Sequence, residues 1–186
     1  MKKILVAVTG ASAMIFLHSF LEMLEAENLC VHGICSESGE KVLGLEHHCG
    51  VAELPGVEKW FSCRDFAAAP ASGSAGYDAM VVIPCSMGTL AAIASGMTAN
   101  LIHRAADVML KERKTLILVT RETPLNRTHL KNMLAAHDAG ALICPPHPGY
   151  YLKPANMKEA AMTFAWRLGD QLGLDIQGRK RWGSND

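Results

Sequence analysis

With 186 residues, 49% of them apolar, the chain has enough material to bury a core without disulfide or metal staples. Its 18 Lys+Arg balance 18 Asp+Glu, which removes the cation excess that drives nonspecific nucleic-acid binding; the apolar fraction also excludes a disordered chain. One domain over 1–186, with a C-terminal tail from 174 to 186, is the expected organisation.

Met1-Lys2-Lys3 followed by Ile4-Leu5-Val6-Ala7-Val8 has the outline of a secretion signal. The apolar run stops at Thr9-Gly10 without a small-residue cleavage site, so it reads as a buried first strand over Lys3–Val8. A helix is expected over 12–25, a strand over Cys30–Cys35 and a helix over Glu37–His47. Residues 50–78 read as irregular, with Pro55-Gly56 and a small-residue loop at 69–76. Further strands are expected at 79–83, Thr115–Thr120 and 141–144, and helices at 87–95, 101–112, 127–139 and 157–172. Asn156 and Glu159 have capping-box spacing at the start of the last helix. Continuous apolar strands alternating with helices predict a doubly wound parallel α/β sheet in three layers.

No stretch reaches the ~20 apolar residues of a spanning helix, so no membrane association is expected. Cysteines 30, 35, 49, 63, 85 and 144 form no CxxC pair and no finger spacing. Free thiols in a reducing cytoplasm are expected, and no metal is assigned. His47-His48-Cys49 looks metal-like, but adjacent helical side chains diverge by about 100°.

Ligands of open α/β sheets bind beyond the carboxyl ends of the strands. After the first strand, Thr9-Gly10-Ala11-Ser12-Ala13 lacks the GxGxxG fingerprint, and the chain has no Gly-Lys-Ser/Thr P-loop. What remains is a small-residue turn opening a helix, with Ser12 as the expected cap. Such a turn is equally a phosphate-monoester site or a plain strand-to-helix connection. Ser36 and Ser86 open two more helices, so three hydroxyl-bearing helix starts would share one anion-friendly edge. Arg104 and Lys111, seven apart, lie on one helix face, and Arg121-Glu122 closes the 115–120 strand. Tyr151 and Arg167 are placed to reach the same edge; converging cations would hold a phosphate, although any one of them alone reads first as a surface ion pair. There is no HExxH and no GxSxG, and nothing pairs Cys85 with a catalytic base.

Pro84-Cys85-Ser86-Met87-Gly88-Thr89-Leu90, Ala94-Ser95-Gly96-Met97, and Arg104-Ala105-Ala106-Asp107-Val108 together resemble the flavin prenyltransferase (UbiX) family. Arg121-Glu122-Thr123-Pro124-Leu125, Pro145 to Tyr151, Arg167 and Arg181-Trp182 extend the resemblance from residue 3 to about 183. It implies a flavodoxin-like (Rossmann-like) homo-oligomer, typically a dodecamer, with active sites between subunits. The implied reaction joins a dimethylallyl group from dimethylallyl monophosphate to N5 and C6 of reduced FMN, without a metal. Its product, prenylated FMN, serves UbiD-type decarboxylases. By position, Gly10, Ala11, Ser12, Ser36, Ser86, Met87, Gly88, Thr89 and Arg121 resemble the FMN contacts. Arg104, Lys111, Arg121, Glu122, Tyr151 and Arg167 resemble the surroundings of the prenyl phosphate, Glu46 a carboxylate assisting near the flavin, and Trp182 a tail residue near the site.

Two departures carry expectations of their own. Ala13-Met14 stands where the family usually has Gly-Ala, which removes backbone room and adds Met14 bulk at the helix start. Glu37 stands where Lys is common, making the rim less positive. Two other readings share the fold: an FMN-dependent decarboxylase of the cysteine-decarboxylase group, and a noncatalytic FMN carrier. The first would carry a Pro-Ala-Met-Asn-type motif, where this chain has Pro84-Cys85-Ser86-Met87.

Overall fold

The apolar runs pair into one parallel sheet in the computed structural model, which describes residues 2–27 and 29–183. Met1, Asn28 and residues 184–186 of the expected tail lie outside the described residues. The strands are β1 (Lys3–Val8), β2 (Cys30–Cys35), β3 (Lys59–Ser62), β4 (Ala79–Cys85), β5 (Thr115–Thr120) and β6 (Leu142–Ile143). Their order is β3-β2-β1-β4-β5-β6, and every neighbouring pair is parallel. The helices are α1 (Met14–Ala26), α2 (Glu37–His47), α3 (Met87–Ala94), α4 (Leu101–Lys111), α5 (Arg127–Asp138) and α6 (Met157–Gln171).

Period-two alternation along the strands feeds two cores. Ile4, Val6, Val8, Val81 and Ile83 join Leu17 and Phe20 of α1 with Phe164 and Leu168 of α6 on one face. Leu5, Ala7, Met80, Val82 and Leu118 join Leu90, Leu101, Ala105 and Ala136 from α3, α4 and α5 on the other. Burial on both faces is why the central strands read as continuous apolar runs.

Four elements differ from the sequence expectation. β3 lies inside the stretch expected to be irregular; this four-residue edge strand, Lys-Trp-Phe-Ser, shows water its first and last side chains and has no apolar run to betray it. β4 runs through Pro84 to Cys85, with its register against β5 shifting between Val82 and Cys85, the kind of irregularity that accommodates a proline. β6 keeps only two of the four expected residues. α1 begins at Met14, not 12, because Ala13 adopts a left-handed conformation (φ 87°, ψ 42°).

That conformation favours glycine, since an L side chain there crowds the following carbonyl. Ala13→Gly is therefore expected to raise the unfolding free energy by about 0.5–1 kcal/mol. Relief of roughly 1–2 kcal/mol of local strain exceeds the ~0.4–1 kcal/mol that a freer unfolded chain costs. Chemical denaturation of the two proteins checks it.

The tail is a clasp as far as it is described. Leu174 and Ile176 are buried in the α1/α6 core, and Arg179 donates to Asp170 at 2.6 Å and to the Leu174 carbonyl at 2.9 Å.

Candidate active site

Strand order reverses between β1 and β4, so α1 and α3 leave on opposite faces and a crevice opens at the carboxyl edge between them. Thr9, just past β1, stitches the two strands together. Its hydroxyl donates to the Pro84 carbonyl at 2.8 Å and accepts from the Ser86 N–H at 2.8 Å. The Ser36 N–H donates to the Val8 carbonyl at 3.0 Å, and the Arg121 N–H to the Cys85 carbonyl at 3.3 Å. Sequence reasoning passed over Thr9; a hydroxyl directly after an apolar strand was the available signal.

The mouth of α1 is occupied from within the chain. The Glu46 carboxylate accepts from the Ala13 N–H at 3.0 Å and the Met14 N–H at 2.8 Å. Ser12 is therefore not the helix cap; Ala13 holds that position without a side-chain cap, and the Ser12 hydroxyl bonds to Glu46 instead. Partial burial raises the Glu46 pKa, but the bonds from Ser12, Met14 and Ala13 and the nearby His47 outweigh it, leaving the carboxyl below its ordinary range. Met14 is fully buried in the α1/α6 core, so it adds no bulk to the edge.

The two flanking helix mouths are capped as their sequences require. The Ser36 hydroxyl accepts from the Gly39 N–H at 3.0 Å, and the Ser86 hydroxyl accepts from the Thr89 N–H at 3.3 Å while donating to the Thr89 hydroxyl at 3.1 Å. The leading N–H groups of Met87 and Gly88 have no acceptor within their own helix, and Gly88 faces open space. Gly10 is wedged against α2: an added Cβ would lie 2.5 Å from that of Ser38. A cavity of about 680 Å³ lies between α2, the end of β3 and the start of α4, with Ser36, Ser38, Ser62, Arg64 and Asn100 on its walls. Arg64, brought here by the unforeseen β3, pairs with Glu37, so the acidic departure is matched by a cation.

At the end of β5 the Thr120 hydroxyl and Arg121 Nε are buried without a hydrogen-bond partner, and Arg121 forms no ion pair among the described residues. Glu122 is exposed, its carboxylate accepting from the Thr123 N–H at 2.9 Å. A second cavity of about 320 Å³ is lined there by Thr120, Arg121, Glu122, Met133, Pro145 and His147.

The remaining candidates are spread out. Arg104 donates through Nε to the Ala71 carbonyl at 3.1 Å and pairs with Asp107 at 2.8 Å. α4 starts beside Cys63, just past β3, and ends near the first residue of β5. Lys111, paired with Glu112, therefore lies toward the amino edge of the sheet, away from Arg121 in the same chain. Tyr151 meets Trp182 edge to face, ring centroids 5.1 Å apart. Arg167 pairs with Asp170 at 3.8 Å; burial raises the Cys144 thiol just past β6, and the Arg167 charge partly offsets this.

The Flavoprotein family matches residues 1–164. Flavin prenyltransferase UbiX of Methanocaldococcus jannaschii is 42% identical over 183 residues, covering 98% of this chain and 99% of that protein. The crystal structure of AnUbiX (PadA1) in complex with FMN and dimethylallyl pyrophosphate superposes with a TM-score of 0.95 at 39% identity, covering 100% of this chain and 99% of that one. A dodecameric FMN-dependent UbiX-like decarboxylase from Escherichia coli O157:H7 follows at TM-score 0.92 and 36% identity, with 97% and 98% covered. Sheet order, the crevice between β1 and β4, and likeness along nearly the whole length agree: the chain belongs to the Flavoprotein family and, within it, to the flavin prenyltransferases of the UbiX type.

Proposed function

We propose that the chain joins a dimethylallyl group from dimethylallyl monophosphate to reduced FMN at the crevice between β1 and β4, making prenylated FMN for a UbiD-type decarboxylase. The observation that carries this is the pair of buried, unpartnered groups at the end of β5, Thr120 Oγ1 and Arg121 Nε. Buried donors without acceptors are costly, and an anionic ligand that accepts from them removes the cost. The outward N–H groups of Met87 and Gly88 and the hydroxyls of Ser36 and Ser86 fit a phosphate-bearing flavin on the same edge.

When bound, reduced FMN supplies the ring atoms that the prenyl group joins. Rupture of the allylic C–O bond leaves charge on the departing phosphate, which Arg121 stabilises most where that charge is greatest. Glu46, held ionised by Ser12, Ala13 and Met14, is the acceptor for the proton lost on ring closure, and Glu122 is a second carboxylate within the same edge. Lys111 lies toward the amino edge of its own chain, so its contribution at Arg121's site comes from α4 of another copy in an oligomer with sites between subunits, while Arg104 stands near the carboxyl-edge start of that helix. Tyr151, Trp182 and Arg167 form the outer wall beyond β6. A cytoplasmic setting suits the free thiols, and no helix among the described residues is long and apolar enough to cross a membrane.

The test is anaerobic incubation of the purified protein with reduced FMN and dimethylallyl monophosphate, followed by mass spectrometry of the extracted flavin. A flavin heavier by one dimethylallyl unit is expected. Unmodified flavin with both the monophosphate and the diphosphate would overturn the reading in favour of a decarboxylase or carrier.

A further inference from the structure

Cys30 and His32 stand two apart on β2 and so project from the same face of the sheet, at its amino end and away from the crevice. Glu58, anchored by its N–H to the Val31 carbonyl at 2.8 Å just before β3, closes the group. Cys30 Sγ lies 3.8 Å from His32 Nε2 and 3.5 Å from Glu58 Oε2, and His32 Nε2 is 4.0 Å from the same oxygen. In a tetrahedral zinc site, bonds of about 2.0–2.3 Å set donor atoms roughly 3.4–3.6 Å apart, so closure here needs shifts of a few tenths of an ångström. The other ring nitrogen, Nδ1, is bonded to the buried Tyr77 hydroxyl at 2.7 Å, which turns Nε2 toward the thiol and carboxylate. Zinc-binding histidines are oriented by a partner on their second nitrogen in this way. Among the described residues, no other group of three metal-ligating side chains comes together, His47-His48-Cys49 included.

We propose that Cys30, His32 and Glu58 bind one divalent ion of the zinc class, separate from the flavin site. The ligand set, one sulfur, one imidazole and one carboxylate, suits zinc better than magnesium or calcium. The half-exposed Glu58 leaves the fourth position to water. On binding, the sulfur–metal bond replaces the S–H bond that now points to Glu58, and the proton passes to solvent. Lys3 sits over the Tyr77 ring at 4.4 Å and Lys59 over the Phe61 ring at 4.8 Å. Both oppose a bare cation, but thiolate plus carboxylate neutralise the divalent ion and leave the lysines little charge to repel.

The experiment titrates the chelator-stripped full chain with Co²⁺ by absorbance and with Zn²⁺ by calorimetry. One ion per chain is expected, with the thiolate-to-cobalt charge-transfer band and the ligand-field bands of a tetrahedral site. Cys30→Ser and Glu58→Gln should weaken binding by about 100-fold or more, and Tyr77→Phe by about 10-fold, while Cys63→Ser leaves it unchanged. FMN binding retained by each variant shows that the fold survives and keeps this result independent of the prenyl-transfer reading. Absence of binding at millimolar metal, a spectrum without the thiolate band, or binding that persists in Cys30→Ser would overturn the proposal.

Discussion

Arg121→Ala is expected to lower prenyl transfer about 10²–10³-fold, the loss typical of removing one preorganised donor from a developing anion. Unfolding free energy should stay within about 1 kcal/mol of the parent, because the side chain forms no ion pair among the described residues and its buried Nε lacks a partner. Removing a polar group that costs desolvation and returns no hydrogen bond or ion pair is close to neutral for the fold. The loss should fall on kcat more than on KM if the guanidinium meets charge that peaks in the transition state. Steady-state kinetics and denaturation run on the same preparation decide the matter. Unchanged turnover would remove Arg121 from the chemistry, while a large stability loss would show that it has a structural partner.

Glu46→Gln separates two roles that one carboxylate combines. As the proton acceptor, its loss should reduce turnover by about 10²–10⁴-fold. As the group that satisfies the Ala13 and Met14 N–H donors, its replacement by a neutral amide oxygen should cost about 1 kcal/mol, in the range of a lost helix cap. The pH dependence follows from the depressed pKa of this carboxyl in the folded protein. Its stabilising contribution is complete above the ordinary carboxylate pKa, and is lost as pH falls through the lower folded value. The parent should therefore lose stability in acid more steeply than Glu46→Gln, with the two curves converging at the acid end. Parallel curves would remove Glu46 as the source of that dependence.

The central sheet was legible because strands buried on both faces have to be continuously apolar; β1, β2 and β5 fall within the residues expected. The Ser36, Ser86 and Asn156 starts were legible too, since each local side chain caps its own helix. β3 was not, because an edge strand of four residues owes its place to Trp60 packing over Gly33 of β2, where an added Cβ would meet the indole at 2.3 Å. The true cap of α1 was hidden for a similar reason. Local sequence pointed to Ser12, whereas the carboxylate comes from Glu46, 33 residues away, and no short-range pattern encodes that approach. Arg104 and Lys111 shared a helix face as expected, but a face runs the height of the sheet, so helical spacing placed neither at a particular edge.

In strand order the edge presents the mouth of α2, then of α1, then of α3, and among the described residues the middle one is filled by the carboxylate of Glu46. The rim is therefore not a uniform positive trough, because a carboxylate sits at its centre. A diffusing anion is repelled at the centre and better received at the mouth of α3, whose first turn has no acidic residue, than at that of α2, which carries Glu37 and Glu40. A ligand carrying its negative charge at one end is thereby oriented before any contact specific to its body is made.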